Sequence, residues 1–440
     1  MSHLEPEALR RILGGEGGPQ EADGAVEHIL SCARCQALAG SVVDELRRKK
    51  PGLRGDGALQ LVFDLVDRER QWGVDSLAAL AEWAEVRRQP GRRSQRDRVR
   101  MSKACHTLAF FQLVLGELRE APWEEAEFLA GLALLSSEAM VQRKQIPPAS
   151  GQDLQAEVWT AVANARRLSA EWTRAHQALS NTERHLKVGT GNLRLKAGYL
   201  SIAASTLAEE GQTAQALDAL EKCMGIYRSL SEWPLLARTL VQRANVLAEA
   251  EPANSLEALD QAAPLIPAED TYLTLLAELL RVKCLIELQK PKEALQVYRR
   301  CSRLLTACPK IRLRIRSRFT GAQLLDALGF KPQAERLFYE AVDQDIEHEL
   351  YKDAFLDLFY IYDRHILSGD FEKAAHVCRR ALTDPALSGI AHDQIRDLWA
   401  QLLEAAQHRL VRLDSLEDLR QYLNVHWKHP AATPPVVALR

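Results

Sequence analysis

The most regular pattern of apolar and polar positions surrounds Gly329. Ala334, Phe338 and Ala341 follow it at spacings of four and three, which places them on one face of a helix. Gly329 suits the position just past a helix end, where a left-handed backbone favours glycine. Pro332 suits the first turn of the next helix, where its missing N–H is not needed. The pattern therefore predicts a helical hairpin.

The same buried face recurs along the chain. Small or apolar residues with this spacing form five further sets: Ala175/Leu179/Thr182, Ala216/Leu220/Cys223, Ser255/Leu259/Ala262, Ala294/Tyr298/Cys301 and Ala374/Cys378/Ala381. The first positions of the six sets (175, 216, 255, 294, 334 and 374) differ by 41, 39, 39, 40 and 40 residues. A regular period of this length predicts an all-α solenoid of stacked hairpins. Cys223, Cys301 and Cys378 are expected to pack there as small hydrophobes.

Two local motifs resemble the tetratricopeptide repeat family. Gly369-Asp-Phe-Glu-Lys-Ala-Ala is similar to the family's turn and second helix, and Trp159-x-x-Val162-Ala163 is similar to its first helix. The resemblance covers roughly residues 155–385 and implies a right-handed solenoid that binds protein partners. The usual unit of the family has 34 residues. The longer period here predicts helices that are longer by more than one turn.

Composition agrees with an extended helical array. The chain has 440 residues, of which 47% are hydrophobic, and its 57 basic and 59 acidic side chains give a net charge of −2. The near-neutral charge does not favour nucleic acid or anionic membranes as partners. No stretch reaches the roughly 18 uncharged apolar residues of a membrane helix, and the N-terminus lacks the pattern of a secretory signal. We therefore expect a cytoplasmic protein.

Metal-binding side chains are grouped near the N-terminus. His28, Cys32 and Cys35 have the spacing His-x3-Cys-x2-Cys, and His3 precedes His28 by 25 residues. Two thiolates and two imidazoles form a complete ligand set for one structural zinc ion per chain. Two alternatives are ordinary packing of the two cysteines and a redox-active dithiol, although no strand-helix-strand pattern accompanies the cysteines.

The same spacing resembles the zinc-binding anti-sigma-factor finger. In that family a His-x3-Cys-x2-Cys core is joined by an upstream ligand, usually cysteine, at the place that His3 occupies here. The resemblance covers about residues 1–45. It implies a small helical zinc module in a bacterial regulator, with a sigma factor or another protein as its partner.

Loop-forming stretches in the sequence divide the chain into segments. Residues 59–71 and 75–88 are interpreted as two paired helices within a degenerate leading region. The expected segments are the zinc module at 1–46, a linker at 47–57, leading hairpins at 58–154, repeats at 155–385, capping helices at 386–427 and a disordered tail at 428–440.

The segment from Arg87 to Arg100 is strongly basic, with seven arginines around a Gln-Pro-Gly sequence. It carries neither stacking aromatics nor a recognised nucleic-acid module. We interpret it as a solvated turn between helices. The alternative is a transcriptional regulator that contacts DNA through this segment, whose affinity would fall steeply with added salt.

The first helices of the repeats predict a partner-binding groove. The ninth position of each unit is polar, and Phe319 and Phe359 at the fifth position are candidate apolar anchors. The polar ladder comprises Asn164, Ser205, Asn245, Lys283, Gln323 and Asp363. It suits an extended peptide or a partner helix, and the alternative is a solvated face without a ligand.

The sequence offers no phosphate-binding loop or nucleophile motif, so we predict no catalytic residues. The favoured interpretation is a non-enzymatic adaptor that binds a protein in its groove and a second partner, such as a sigma factor, through the zinc module. A solenoid that activates an enzyme encoded elsewhere is also compatible with the sequence.

Overall fold

A computed structural model describes residues 3–49, 59–121, 123–169, 171–308, 310–388 and 393–409. Every regular element within these ranges is helical, and none of them contains a strand. The all-α prediction is therefore confirmed for this part of the chain. Two compact units are present, one formed from 1–120 with 128–146 and the other from 121–127 with 147–440.

The first unit contains the N-terminal helices. They are α1 (Pro6–Arg11), α2 (Pro19–Ser31), α3 (Ala33–Lys49), α4 (Leu59–Arg88), α5 (Gly91–Met101), α6 (Leu108–Glu120) and most of α7 (Trp123–Gln142). A π-helical turn at Ile12–Glu16 follows α1, and its Gly15 has φ 87°. Leu9, Ile29, Val43 and Phe63 are fully buried in one apolar cluster. The N-terminal helices therefore share their core with the beginning of α4.

Two boundaries in this unit differ from the sequence interpretation. Residues 59–88 form the single 30-residue helix α4 instead of two paired helices. Gly73 lies between the two expected helices, and a lone glycine inside a helix costs only about 1 kcal/mol relative to alanine, so it does not end α4. Arg47, Arg48 and Lys49 belong to the last turn of α3, where basic side chains favour the helix dipole. The rest of the expected linker lies outside the described residues.

The second unit is an array of helical hairpins. Its helices are α8 (Pro148–Leu168), α9 (Trp172–Val188), α10 (Leu193–Glu209), α11 (Thr213–Ser229), α12 (Trp233–Leu247), α13 (Pro252–Ala262), α14 (Thr271–Glu287), α15 (Pro291–Ala307), α16 (Ile311–Ala327), α17 (Lys331–Glu347), α18 (Tyr351–Leu367), α19 (Phe371–Thr383), α20 (Pro385–Ser388) and α21 (Asp393–His408). From α8 to α19, each even-numbered helix packs against the next one as a hairpin. The helical-repeat architecture is confirmed for these residues.

The repeated face lies in the interior of this array. The first position of all six sets is fully buried, and the third position is at most 2% exposed. Ala334, Phe338 and Ala341 are fully buried on α17. Burial raises the pKa of the Cys223 and Cys301 thiols to about 11, which keeps them protonated. The expected packing role of these cysteines is confirmed.

The turn at Gly329 has the predicted backbone. Gly329 has φ 88°, and its N–H donates to the carbonyl of Asp326, while the N–H of Phe330 donates to Leu325, both at 2.9 Å. These bonds satisfy carbonyl groups at the end of α16. Pro332 lies in the first turn of α17.

We expect Gly329→Ala to lower the free energy of unfolding by about 1 kcal/mol, because a side chain disfavours the left-handed backbone. The matched control is Gly225→Ala at an exposed position of α11, where a Cβ would meet no neighbour within 4 Å. That control should be neutral or stabilising. Urea unfolding of the two variants checks the prediction, and an equal loss in both would contradict it.

At the C-terminal end, α20 and α21 begin the region where capping helices were expected. Trp399 on α21 is fully buried against Phe355 and Phe359 of α18. Residues 410–440, which include the rest of the expected cap and the expected disordered tail, lie outside the described residues. Among the helices that are described, none has the length and apolarity required to cross a membrane.

Candidate functional site

The predicted metal ligands come from three successive pieces of backbone. His28 lies in the last turn of α2, which ends at Ser31. Cys32 then adopts an extended conformation, with φ −127° and ψ 107°, and interrupts the helix. Cys35 lies in the first turn of α3, and His3 approaches from the segment before α1. The break at Cys32 allows both sulfur atoms to face the same point.

The four ligand atoms converge within 4.8 Å of one another. Nδ1 of His3 is 3.4 Å from Sγ of Cys32 and 3.8 Å from Sγ of Cys35. Tetrahedral bonds of about 2.3 Å to sulfur and 2.0–2.1 Å to nitrogen would separate these atoms by about 3.6 Å. The rings of His3 and His28 lie edge to face, with centroids 6.3 Å apart. The cluster can therefore hold a metal ion.

The surroundings suit a cation held by thiolates. Both cysteines lie at the N-terminus of the 17-residue helix α3, whose dipole favours negative charge there. Two thiolates would neutralise a divalent cation, so the loaded site would carry no net charge. Cys35 is fully buried, and Nε2 of His28 is shielded from solvent. The donor set is soft and complete, as in structural sites.

The packing alternative explains only part of this arrangement. Cys35 belongs to the apolar cluster of the first unit, and Cys32 packs against it. Packing therefore accounts for the burial of the sulfur atoms. It does not account for the polar imidazole of the otherwise exposed His3 beside both of them.

The residues of the predicted ladder occupy equivalent helices, α8, α10, α12, α14, α16 and α18. Several of them contact their own chain. Asn164 accepts hydrogen bonds from Arg167 at 3.0 and 3.2 Å, and Ser205 accepts one from Gln242 at 2.6 Å. Lys283 pairs with Glu249, Gln323 hydrogen-bonds Tyr360, Asn245 is exposed and Asp363 is partly buried. Binding of a partner to this ladder stays a prediction.

The two phenylalanines that were predicted as apolar anchors of the groove are buried, contrary to that prediction. Phe319 is 9% exposed and Phe359 is 2% exposed, and both belong to the largest apolar cluster. The ring of Phe319 packs 4.9 Å from Phe338, and that of Phe359 packs against Trp399. The fifth position of the first helix therefore faces the core. These two rings stabilise the array and are not presented to a ligand.

A group of carboxylates between α16, α17 and α18 was missed by the sequence analysis. Asp345 is 2% exposed and hydrogen-bonds the carboxyl group of Asp357. Asp353 pairs with Arg312 at 2.7 Å, and Arg316 is also close. Burial, reinforced by the charge of Asp353, raises the pKa of Asp345 to about 7, and burial also raises that of Asp357. Both buried carboxyl groups thus hold their protons to a higher pH than an exposed aspartate does.

We expect the second unit to lose about 1–3 kcal/mol of stability between pH 4 and pH 7 because of this pair. The unfolded Asp345 releases its proton near pH 4, whereas the folded residue holds it to about pH 7. The folded state binds more protons in this interval, so stability falls as the pH rises. Urea unfolding at several pH values should show a smaller loss for Asp345→Asn.

The exposed Asp218→Asn change on α11 provides the control and should keep the wild-type pH profile. Asp218 is 64% exposed and contacts Lys222 on the surface. Identical pH profiles for wild type and Asp345→Asn would contradict the raised pKa of Asp345.

The basic segment is mainly helical, which corrects its interpretation as a turn. It forms the end of α4, a break at Gln89 and Pro90, and α5. Six of its seven guanidinium groups contact other side chains: Arg87 contacts Trp83 and Glu117, Arg88 contacts Glu85, Arg92 and Arg96 lie over Phe128, Arg98 pairs with Glu82 and Arg100 pairs with Asp97. DNA binding through this segment stays an untested prediction.

Comparison of the chain with protein-family models and with curated proteins finds no match. The tetratricopeptide and anti-sigma resemblances therefore rest on the motifs in the sequence. The ligand cluster and the helical array are the structural features on which a function can be argued.

Proposed function

We propose that this chain is a non-enzymatic, cytoplasmic scaffold that binds protein partners and carries one structural zinc ion. In this proposal the array is a right-handed, tetratricopeptide-like solenoid, and the N-terminal helices form an anti-sigma-like zinc module. The observation that carries the proposal is the convergence of four nitrogen and sulfur donors from His3, His28, Cys32 and Cys35.

The composition of this cluster supports a structural role for the metal. Catalytic zinc sites keep one position open for water or substrate, whereas structural sites use four protein ligands. Four donors here fill a tetrahedral shell. The ion would hold the N-terminal segment, which carries His3, against the break between α2 and α3. This link would stiffen a surface for a partner such as a sigma factor.

The helical array supports a second binding surface. Its first helices carry polar side chains at equivalent positions, and stacked hairpins form extended faces suited to peptides and helices. Asn245 is exposed there, and Asn164 and Gln323 are partly buried. We propose that a protein segment binds along this ladder.

An affinity experiment with the full chain tests the proposal. Purified sigma factors and a lysate of the source cells would be passed over the immobilised wild type, an Asn164→Ala/Asn245→Ala variant and a control with Asp218→Asn at an exposed position of α11. We expect one partner to be retained by wild type and control and lost from the ladder variant. Retention by all three proteins, or by none, would contradict binding to the ladder.

A further inference from the structure

Lys352, in the first turn of α18, contacts residues from the beginning of the array. Its Nζ is 3.4 Å from Oε2 of Glu209, the last residue of α10. The same atom lies 5.1 Å from the centroid of the Trp172 ring at the start of α9. Repeats in a linear stack contact only their neighbours, yet Glu209 and Lys352 are 143 positions apart. The array therefore turns back on itself between α9 and α18.

The carboxylate of Glu209 lies between two cations. Besides Lys352, it accepts a hydrogen bond from Arg167 near the end of α8. The side chains of Arg167 and Lys352 are only 14% and 18% exposed. Arg167 is in turn held by Asn164 of the ladder. One acidic side chain thus joins the first two hairpins to the sixth.

Trp172 adds an apolar component to this contact. Its side chain is 4% exposed and belongs to the same buried cluster as Ile315 of α16 and Phe355 of α18. A buried indole removes a large apolar area from water and attracts a cation over its face. The contact therefore combines apolar packing with a partly buried ion pair.

The ion pair is sensitive to the loss of either partner. Burial lowers the pKa of Lys352, and Glu209 opposes this effect. Loss of Glu209 leaves the partly buried Lys352 and Arg167 without this counter-charge, and loss of Lys352 leaves Glu209 with Arg167 as its one remaining cation in this contact. Either loss in a partly buried site costs more than losing an exposed pair. The contact should therefore break as a unit when Glu209 or Lys352 is changed.

We propose that Trp172, Glu209 and Lys352 form a clasp that holds the array closed, and that its release opens the face that carries the polar ladder. The inference that the array is closed does not depend on any ligand. The inference that opening gives a partner access to the ladder rests on the proposed function of the ladder. A partner that hydrogen-bonds Asn164 competes with Arg167, and this competition loosens Glu209 from its second cation. Occupation of the ladder and opening of the clasp are thereby coupled.

Hydrogen exchange of the full chain, read by mass spectrometry, tests the clasp reciprocally. Lys352→Met on α18 should speed exchange about tenfold in the last turns of α8 and α10, and Glu209→Gln on α10 should do so in the first turn of α18. Lys373→Met is the matched control, since it breaks a 2.8 Å pair with Glu335 of the neighbouring hairpin. Its effect should stay within α17 and α19.

Unchanged exchange on the far side in either Lys352→Met or Glu209→Gln would overturn the clasp. Reciprocal changes establish the closure without any partner. If they occur and the ladder still retains no protein in the affinity experiment, the clasp stands and the proposed function fails.

Discussion

Replacement of Cys32 and Cys35 by serine is expected to remove one zinc ion per chain and to unfold the backbone next to the ligand cluster. The two sulfur atoms supply half of the donor set that converges within 4.8 Å. Serine hydroxyl groups are poor zinc ligands at neutral pH, and structural zinc in small domains contributes about 10–16 kcal/mol of apparent binding free energy. Elemental mass spectrometry measures the metal, and hydrogen exchange of residues 3–49 measures the folding.

The extent of unfolding depends on the apolar core that these helices share with α4. Leu9, Ile29 and Phe63 belong to this cluster, to which Cys35 is the one proposed ligand that contributes as a fully buried member. We therefore expect fast exchange in residues 3–8 and around the break at Cys32, and partial protection in the later turns of α3. Chelation of the wild-type protein should reproduce this pattern.

The control is Cys301→Ser/Cys308→Ser, which removes two cysteines from the second unit. Both are buried, far along the sequence from the cluster, so the zinc content should stay at one per chain. A His3→Ala variant distinguishes a site with four protein ligands from a site with three. It should weaken zinc binding by tenfold or more if the imidazole of His3 is a ligand. Purified wild type without metal under reducing, chelator-free conditions would refute the zinc assignment.

The repeat could be predicted from the sequence because each unit carries the same local constraint. Ala334, Phe338 and Ala341 pack wherever a hairpin stacks on its neighbour, and helix spacing alone places them on one face. The ligand cluster was predictable for a similar reason, since three of its members lie within eight residues. Both patterns express contacts between residues that are close in the sequence.

The clasp could not be predicted in this way. Lys352 and Glu209 are ordinary surface residue types, and the contact between them depends on the cumulative rotation of several hairpins. Phe319 and Phe359 were misplaced because a small change in helix rotation moves a side chain from the groove to the core. The prediction for the ninth position is less sensitive to helix rotation, since polar residues there remain at the helix surface.

The buried carboxyl pair did leave a signal in the sequence. Asp345 follows the face of Ala334, Phe338 and Ala341 by one more step of four residues. The corresponding positions in four other units are apolar: Leu186, Tyr227, Ile266 and Leu305. A single charged residue at a position that is otherwise apolar indicates a buried polar group, which requires a partner. Asp357 on the next helix is that partner.

Phe338→Ala is expected to lower the free energy of unfolding of the second unit by about 3–5 kcal/mol. The ring is fully buried, with the ring centroids of Phe319 and Tyr360 at 4.9 and 5.5 Å. The guanidinium group of Arg364 lies 5.6 Å from it. Truncation removes the apolar contacts and leaves a cavity, and it also removes the cation–π contact. Urea unfolding followed by circular dichroism measures the loss.

The matched control is Phe330→Ala, eight residues earlier at the turn before α17, where the ring is 52% exposed. Its effect should be within about 0.5 kcal/mol. Because stacked hairpins depend on their neighbours, the loss at Phe338 should also speed hydrogen exchange in α16 and α18, while α10 and α11 change less. Equal destabilisation by the two variants would show that the repeated face does not hold the array together.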